Sequence, residues 1–236
     1  MRILAFDTSF DAVSAAAGVR EESGTWRVSE RFEAIGKGHA EKLLPMVREV
    51  MAEAGLDYAH LDRIAVTNGP GGFTGLRAGL AAARGLALAA GKPLVAVGSL
   101  ELLALSFAAR REAVTSHDDA PLVIAMDARK GEVFVQIFHS PRRVEATGRA
   151  ALVGVGEVVG MLPAGPVTIA GSGADAVADA AGRREGLRVV TALSAHARDL
   201  IGVAERLAPT GPVAPIYIRP PDAKPQMSAS IARSAS

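Results

Sequence analysis

Two aspartates stand where an acid could work on a phosphate. Asp7 closes the apolar run Ile3-Leu4-Ala5-Phe6, and Asp127 closes Ile124-Ala125-Met126. A carboxylate at each of two equivalent strand ends, facing across a cleft, would hold a magnesium ion or a water beside a phosphate. The same acids would equally cap their own hairpins by accepting backbone N–H groups. The turn after Asp7, Thr8-Ser9-Phe10, has no glycine, which leaves little room for a phosphate. A second candidate is Asn68-Gly69-Pro70-Gly71-Gly72-Phe73-Thr74, a glycine-rich loop opening a helix whose first N–H groups could bind an anion. Its alternative is a tight strand-to-helix turn that lets backbones approach. No Gly-Lys-Ser or Gly-Lys-Thr follows, and the Gly-x-Gly-x-x-Gly spacing is absent, so the loop is neither a Walker loop nor a dinucleotide fingerprint. A nucleotide cleft, if built, would use Asp7, Thr8, Gly71, Thr74, Asp127 and Gly171.

Other chemistries find less support. The chain has no cysteine, which removes disulfides, thiolate zinc sites and thiol catalysis. His39, His60, His117, His139 and His196 are too far apart for any two to clamp a metal from one helical face. No serine sits in a Gly-x-Ser-x-Gly elbow. With 26 basic and 25 acidic residues the net charge is +1, so the chain has no electrostatic footprint for gripping a polyanion alone. The first residues lack the apolar core of a signal peptide, and Ala78 to Gly91 is too short to span a bilayer and is broken by Arg84. A soluble cytoplasmic protein is expected.

The elements that must position these residues follow from hydrophobic periodicity. Ile3–Asp7, Val13–Val19 and Thr25–Phe32 read as a three-stranded meander, with further strands at Ile64–Thr67 and Leu94–Val97. Helices are expected over 40–54, 74–90 and Ser99–Arg110, with glycine stops at Gly55 and Gly91. The pattern then restarts. At an offset of 120 residues Ala5, Asp7 and Val13 match Ala125, Asp127 and Val133, and strand Val167–Ala170, loop Gly171-Ser172-Gly173 and helix Asp175–Ala181 repeat the earlier order. A strand at Arg188–Thr191 and a helix at Ser194–Leu207 follow. An internal duplication accounts for both halves. The expected organisation is one lobe over 1–110, a second over 111–218 that begins near Pro121, and a flexible tail over 219–236, with Met227–Ser236 disordered. Aromatics are only 4% of a chain that is 49% hydrophobic, so the core must be small aliphatic residues packed closely.

Helix 74–90 is apolar nearly all round, broken only by Arg77 and Arg84, and carries a stripe of Gly75, Gly79, Ala83, Ala87 and Gly91 at four-residue spacing. Such a helix must be covered on several sides. Its cover is either helix 40–54 within the chain or the surface of a second chain.

Several blocks together resemble the TsaB family, also called YeaZ, a branch of the actin, Hsp70 and sugar-kinase (ASKHA) superfamily. They are Ile3-Leu4-Ala5-Phe6-Asp7-Thr8-Ser9, His39-Ala40-Glu41-Lys42-Leu43-Leu44-Pro45, Asn68 through Leu80, Gly98-Ser99-Leu100-Glu101, and Met126-Asp127-Ala128-Arg129-Lys130-Gly131-Glu132-Val133-Phe134. Gly171-Ser172-Gly173 and Pro215-Ile216-Tyr217-Ile218-Arg219 agree more loosely. The resemblance implies an α/β, duplicated actin-like fold of the ribonuclease-H-like type, two lobes each with a mixed sheet and flanking helices. It implies a non-catalytic scaffold that binds the paralogue TsaD, which transfers threonylcarbamoyl to adenosine 37 of tRNA. A TsaE-like ATPase would join the complex, tRNA would be reached indirectly, and homodimerisation is possible. No cofactor is expected in the isolated chain, ATP or ADP and metal belonging to the partners. The transferase's His-x-x-x-His metal pair has no counterpart in Ser99-Leu100-Glu101-Leu102-Leu103-Ala104. The partner face is placed on helices 40–54 and 74–90, at Leu43, Met46, Val47, Val50, Met51, Arg77 and Gly79, because the apolar arc of the first helix exceeds the roughly 100° needed to cover one core. The alternative function is a free-standing ASKHA-type ATPase or phosphotransferase using the cleft between lobes.

Overall fold

The computed structural model describes residues 1–110, 119–211 and 213–218. The first sheet is built from β1 (Arg2–Asp7), β2 (Ala12–Arg20), β3 (Trp26–Ala34), β4 (Arg63–Thr67) and β5 (Leu94–Val97) in the order β3-β2-β1-β4-β5. The meander β1-β2-β3 is antiparallel, whereas β4 and β5 add in parallel. Parallel addition requires crossovers, supplied by α1 (His39–Glu53) before β4 and α2 (Phe73–Ala90) before β5. The second sheet uses β6 (Leu122–Asp127), β7 (Glu132–Ser140), β8 (Arg143–Ala146), β10 (Val167–Ala170) and β11 (Leu187–Val190) in the order β11-β10-β6-β7-β8, and β9 (Ala151–Gly154) also pairs with β7. Helix α4 (Val155–Met161) precedes β10, and α5 (Ala174–Ala181) precedes β11.

The duplication is borne out strand by strand. β1 and β6 occupy the same central place, each antiparallel to the next strand and parallel to a later one, and Asp7 and Asp127 are their last residues. The 120-residue offset holds from Arg2 and Leu122 through to the two acids.

Alternation along β1 sends its side chains into two different cores. Leu4 and Phe6, with Val13, Ala15 and Ala17 of β2, face α1 and α2. Ile3 and Ala5 face the other way, into a core shared by both sheets. The remaining helices, α3 (Ser99–Ala109) and α6 (Arg198–Arg206), fill that shared core, α3 reaching β6 and β7 while α6 packs on β1 and β2. Phe107 of α3, Phe138 of β7 and Leu200 and Ile201 of α6 meet there. A helix exchanged in each direction ties the lobes together through apolar burial. Glu30 on β3 adds a polar clasp, accepting from Ser14 Oγ at 3.2 Å, the Arg198 N–H at 3.3 Å and His196 Nδ1 at 3.3 Å. Burial alone would raise the Glu30 carboxyl, but the bond and charge of His196, with Arg198, hold it below its usual range.

Several elements, β8, α4 and β9 among them, were not expected. β8 lies in a stretch holding Arg142, Arg143, Glu145 and Arg149 with no alternating apolar run, and α4 is seven residues with two glycines. β9 is four half-buried residues. The helix expected from Ser194 begins only at Arg198; residues 191–197 lie outside regular structure, and His196 among them reaches Glu30. The expected lobe boundary at 110/111 adjoins 111–118, and the expected flexible tail 219–236, with Met227–Ser236, also lies outside the described residues.

The expected partner residues on α1 require correction. Leu43, Met46, Val47, Val50 and Met51 are all buried in the chain's own core, against the first sheet and α2. Their arc is wide because two elements cover it, the sheet on one flank and Leu80 and Ala83 of α2 on the other. No part of it is surplus. Leu44 is the large apolar residue that α1 leaves exposed.

Candidate functional site

The first-lobe turn is closed by its own hydroxyls. Asp7 Oδ1 accepts from the Ser9 N–H at 3.2 Å, from Ser9 Oγ at 2.6 Å and from Thr67 Oγ1. Ser99 Oγ donates to Ser9 Oγ at 2.6 Å and in turn accepts the Gly69 N–H at 3.1 Å. Thr67 ends β4 and Ser99 directly follows β5 and Gly98, so three neighbouring parallel strands deliver one polar group each to the same spot. The sequence reading missed Ser9, Thr67 and Ser99. Their one signal was a hydroxyl at or just past each strand's carboxyl end.

Thr8 and Ser9 also explain the glycines. Thr8 Oγ1 donates to the Gly75 carbonyl at 2.8 Å, and the Gly72 N–H donates to the Ser9 carbonyl at 2.7 Å. A Cβ on Gly71 would collide with the Ser9 carbonyl oxygen, one on Gly75 with the Thr8 carbonyl oxygen, and one on Gly79 with Thr8 Oγ1. The small stripe thus seats α2 against the β1–β2 turn, which corrects the placement of Gly79 on a partner face. The glycine loop acts as the tight turn that was its alternative reading. Thr74 lies apart, on the exposed first turn of α2.

Asp7 is buried, and this desolvation raises its carboxyl above the ordinary value of 3.8 despite the opposing bonds from Ser9 and Thr67 and the charge of His39. A raised acid favours the fold in its protonated form, so this contribution is full below about pH 4 and is lost as pH rises through the folded-state value. Asp7→Asn keeps an acceptor for the same donors and removes that loss. It is expected to match or exceed the parent in urea unfolding at pH 7 and to show a flatter dependence on pH above about 4. Asp7→Ala, which strands the buried hydroxyls, is expected to cost roughly 1–3 kcal/mol below about pH 4 and less as pH rises.

The second-lobe counterpart is open. Asp127 is exposed, its Oδ1 accepts the Arg129 N–H at 2.9 Å, and its own N–H donates to Ser172 Oγ at 3.0 Å. Arg129, Lys130 and Gly131 take left-handed φ values of 65°, 56° and 76° in the turn that Asp127 caps. Gly171, at φ 121°, lies where a Cβ would collide with the Ala125 carbonyl oxygen. The structure therefore groups Asp7, Thr8 and Gly71 in one lobe and Asp127 and Gly171 in the other, each acid capping its own hairpin. Among the described residues no three His, Asp or Glu side chains form a group that could hold a metal. No helix among them is long and apolar enough to cross a membrane.

The other distinctive surface is the outward flank of α2. Arg77, Ala81, Arg84, Gly85, Leu88 and Ala89 are exposed there. Leu88 is 86% exposed, and a Cβ on Gly85 would meet nothing within 4 Å.

Comparison with known proteins places these features among relatives. The family model for TsaD, tRNA N6-adenosine threonylcarbamoyltransferase, matches residues 33–178. The tRNA threonylcarbamoyladenosine biosynthesis protein TsaB of Escherichia coli (strain K12) is 37% identical over 134 residues, covering 57% of this chain and 53% of that one. The tRNA N6-adenosine threonylcarbamoyltransferase of Erythrobacter litoralis is 54% identical over 74 residues, covering 31% of this chain and 22% of that one. Against these curated relatives the match thus spans about half of their length or less. The solved structure of YeaZ from Pseudomonas aeruginosa superposes with a TM-score of 0.77 at 30% identity, covering 92% of this chain and 99% of that one.

Proposed function

Since this chain belongs to the TsaB (YeaZ) family of the actin-like superfamily, we propose that within threonylcarbamoyladenosine biosynthesis it is a non-catalytic subunit that binds a TsaD-like transferase through the outward flank of α2. The observation that carries this reading is Gly85 beside Leu88. A glycine inside a helix costs about 0.5–1 kcal/mol relative to alanine. Gly75 and Gly79 repay that by admitting Thr8, but a Cβ on Gly85 would meet nothing within 4 Å among the described residues. Its use lies outside the chain, as the hollow of a close helix crossing next to the protruding Leu88.

The closed first-lobe turn supports the absence of catalysis. Asp7 is spent on internal hydroxyls, and the stretch where the transferase would carry its metal histidines is the largely buried start of α3. Nucleotide and metal are assigned to the partners, a TsaE-like ATPase joins them, and tRNA is reached through the assembly. The purified chain with ATP, magnesium, threonylcarbamoyl-adenylate and tRNA is expected to show neither ATP hydrolysis nor transfer. Adding it to the transferase of the same organism is expected to raise modification at least tenfold, read by nucleoside analysis of the tRNA. Turnover by the chain alone that disappears in Asp127→Asn would instead establish the ATPase or phosphotransferase alternative.

A further inference from the structure

After α6 the chain returns to the first lobe as a strap over residues 213–218. Val213 is buried in the core beneath α2, and its carbonyl accepts the Arg84 guanidinium, Nε lying at 3.1 Å. The Ile216 N–H donates to the Asn68 carbonyl at 2.7 Å, and Asn68 Nδ2 donates to the Ala214 carbonyl at 3.3 Å. A Cβ on Gly69 would stand 2.7 Å from the Ile216 carbonyl oxygen, so the strap lies directly on that glycine. Arg77 Nε donates to the Tyr217 hydroxyl at 3.0 Å, and its guanidinium sits 3.9 Å over the Phe73 ring. The Phe73 and Tyr217 rings are 5.4 Å apart. Phe73, Ile216 and Tyr217 nevertheless remain 43%, 44% and 42% exposed.

We propose that this strap is part of the partner-binding surface, with Phe73, Ile216 and Tyr217 as apolar anchors for a different folded chain that presents carboxylates to Arg77 and Arg84. The proposal rests on the α2 flank being the partner face. Nine large apolar side chains are exposed among the described residues, and Phe73, Leu88, Ile216 and Tyr217 all lie on α2 or on the strap against it. That concentration is what distinguishes an interaction surface from scattered exposed leucines. The two rings are already held by Arg77, so little rotamer freedom is left to lose on binding. Aromatic and arginine anchors of this kind carry most of the energy of an interface.

Charge selects the occupant. Arg77 and Arg84 bond a phenol and a carbonyl, both neutral, and neither has an ion pair among the described residues. α2 and residues 213–218 contain no acidic residue. A second copy paired about a two-fold axis would bring these same cations together, whereas a chain with an acidic rim would neutralise them.

The test measures affinity for the transferase of the same organism, with the melting temperature and sedimentation of each variant alone. Ile216→Asp is expected to weaken binding by ~30-fold or more, the effect of losing an interface anchor, without changing melting. Parent affinity is expected to fall as salt rises, and Arg77→Glu to weaken binding and reduce that dependence. Should Ile216→Asp melt early, Tyr217→Ser replaces it under the same criteria. Parent-like binding by Ile216→Asp alongside lost binding by Leu88→Glu removes the strap from the surface and leaves the α2 reading standing. Binding unchanged in both overturns both. A chain that sediments alone as a dimer, and as a monomer after Ile216→Asp, gives the surface to a second copy and overturns the acidic partner.

Discussion

Leu88→Glu is expected to abolish pairing with the transferase while leaving the isolated chain as stable as the parent. In the free protein the side chain at 88 is 86% exposed, so a carboxylate there is hydrated and should alter unfolding by no more than ~0.5 kcal/mol. In the complex it would lose the apolar contact of leucine and bury an unpaired charge, a penalty of about 3–5 kcal/mol. That corresponds to a loss of affinity on the order of a thousandfold. Titration calorimetry against the transferase, with a thermal melt of each protein alone, reads both quantities. Gly85→Ala is the informative companion. Its new Cβ enters open space in the free chain and removes a helix penalty, so melting should rise, whereas the close crossing should weaken. If Leu88→Glu binds like the parent, the flank of α2 is not the partner face.

Val50→Glu is expected to unfold the chain. Val50 is fully buried among Leu43, Val47 and the first sheet, and a carboxylate there has no partner and no route to water. Its cost, several kcal/mol, approaches the roughly 5–15 kcal/mol that holds a domain together. Leu43→Ala, a milder change at the same packing layer, is expected to cost about 2–5 kcal/mol through the cavity it leaves. Circular dichroism melts would check both. A folded Val50→Glu chain that fails only in partner binding would return α1 to the interface, where its periodicity alone had placed it. The two substitutions thus separate loss of association caused by unfolding from loss caused by a changed surface.

The contrast between positions 50 and 88 marks how far periodicity can be read. A helical wheel gives the width of an apolar arc but not the number of neighbours that cover it. For α1 the arc between Leu43, Met46 and Met51 is filled by a sheet and a helix of the same chain. The glycines of α2 look alike in the sequence, yet Gly75 and Gly79 answer to Thr8 and Gly85 to nothing among the described residues. Asp7 and Asp127 repeat the same limit. They are equivalent in sequence and in strand position, but one is sealed by Ser9 and Thr67 and the other is exposed.

The sequence by itself determined the five strands and two crossover helices of the first lobe and the duplication, because these depend on local periodicity, on turn glycines and on a 120-residue offset that carries β1 onto β6. It also determined the family, since the motif blocks stand in order from Ile3 to Phe134. Only the tertiary structure decided what the candidate site is. Ser9, Thr67 and Ser99 converge on Asp7 from positions as much as 90 residues apart. The strap at 213–218 reaches Asn68 from 148 residues away, through the Ile216 N–H and the Asn68 carbonyl. α3 and α6 are exchanged between the sheets, so the shared core belongs to neither half alone. Contacts of that kind are fixed by which faces meet once both sheets are folded, and nothing in the spacing of residues along the chain reports which faces will meet.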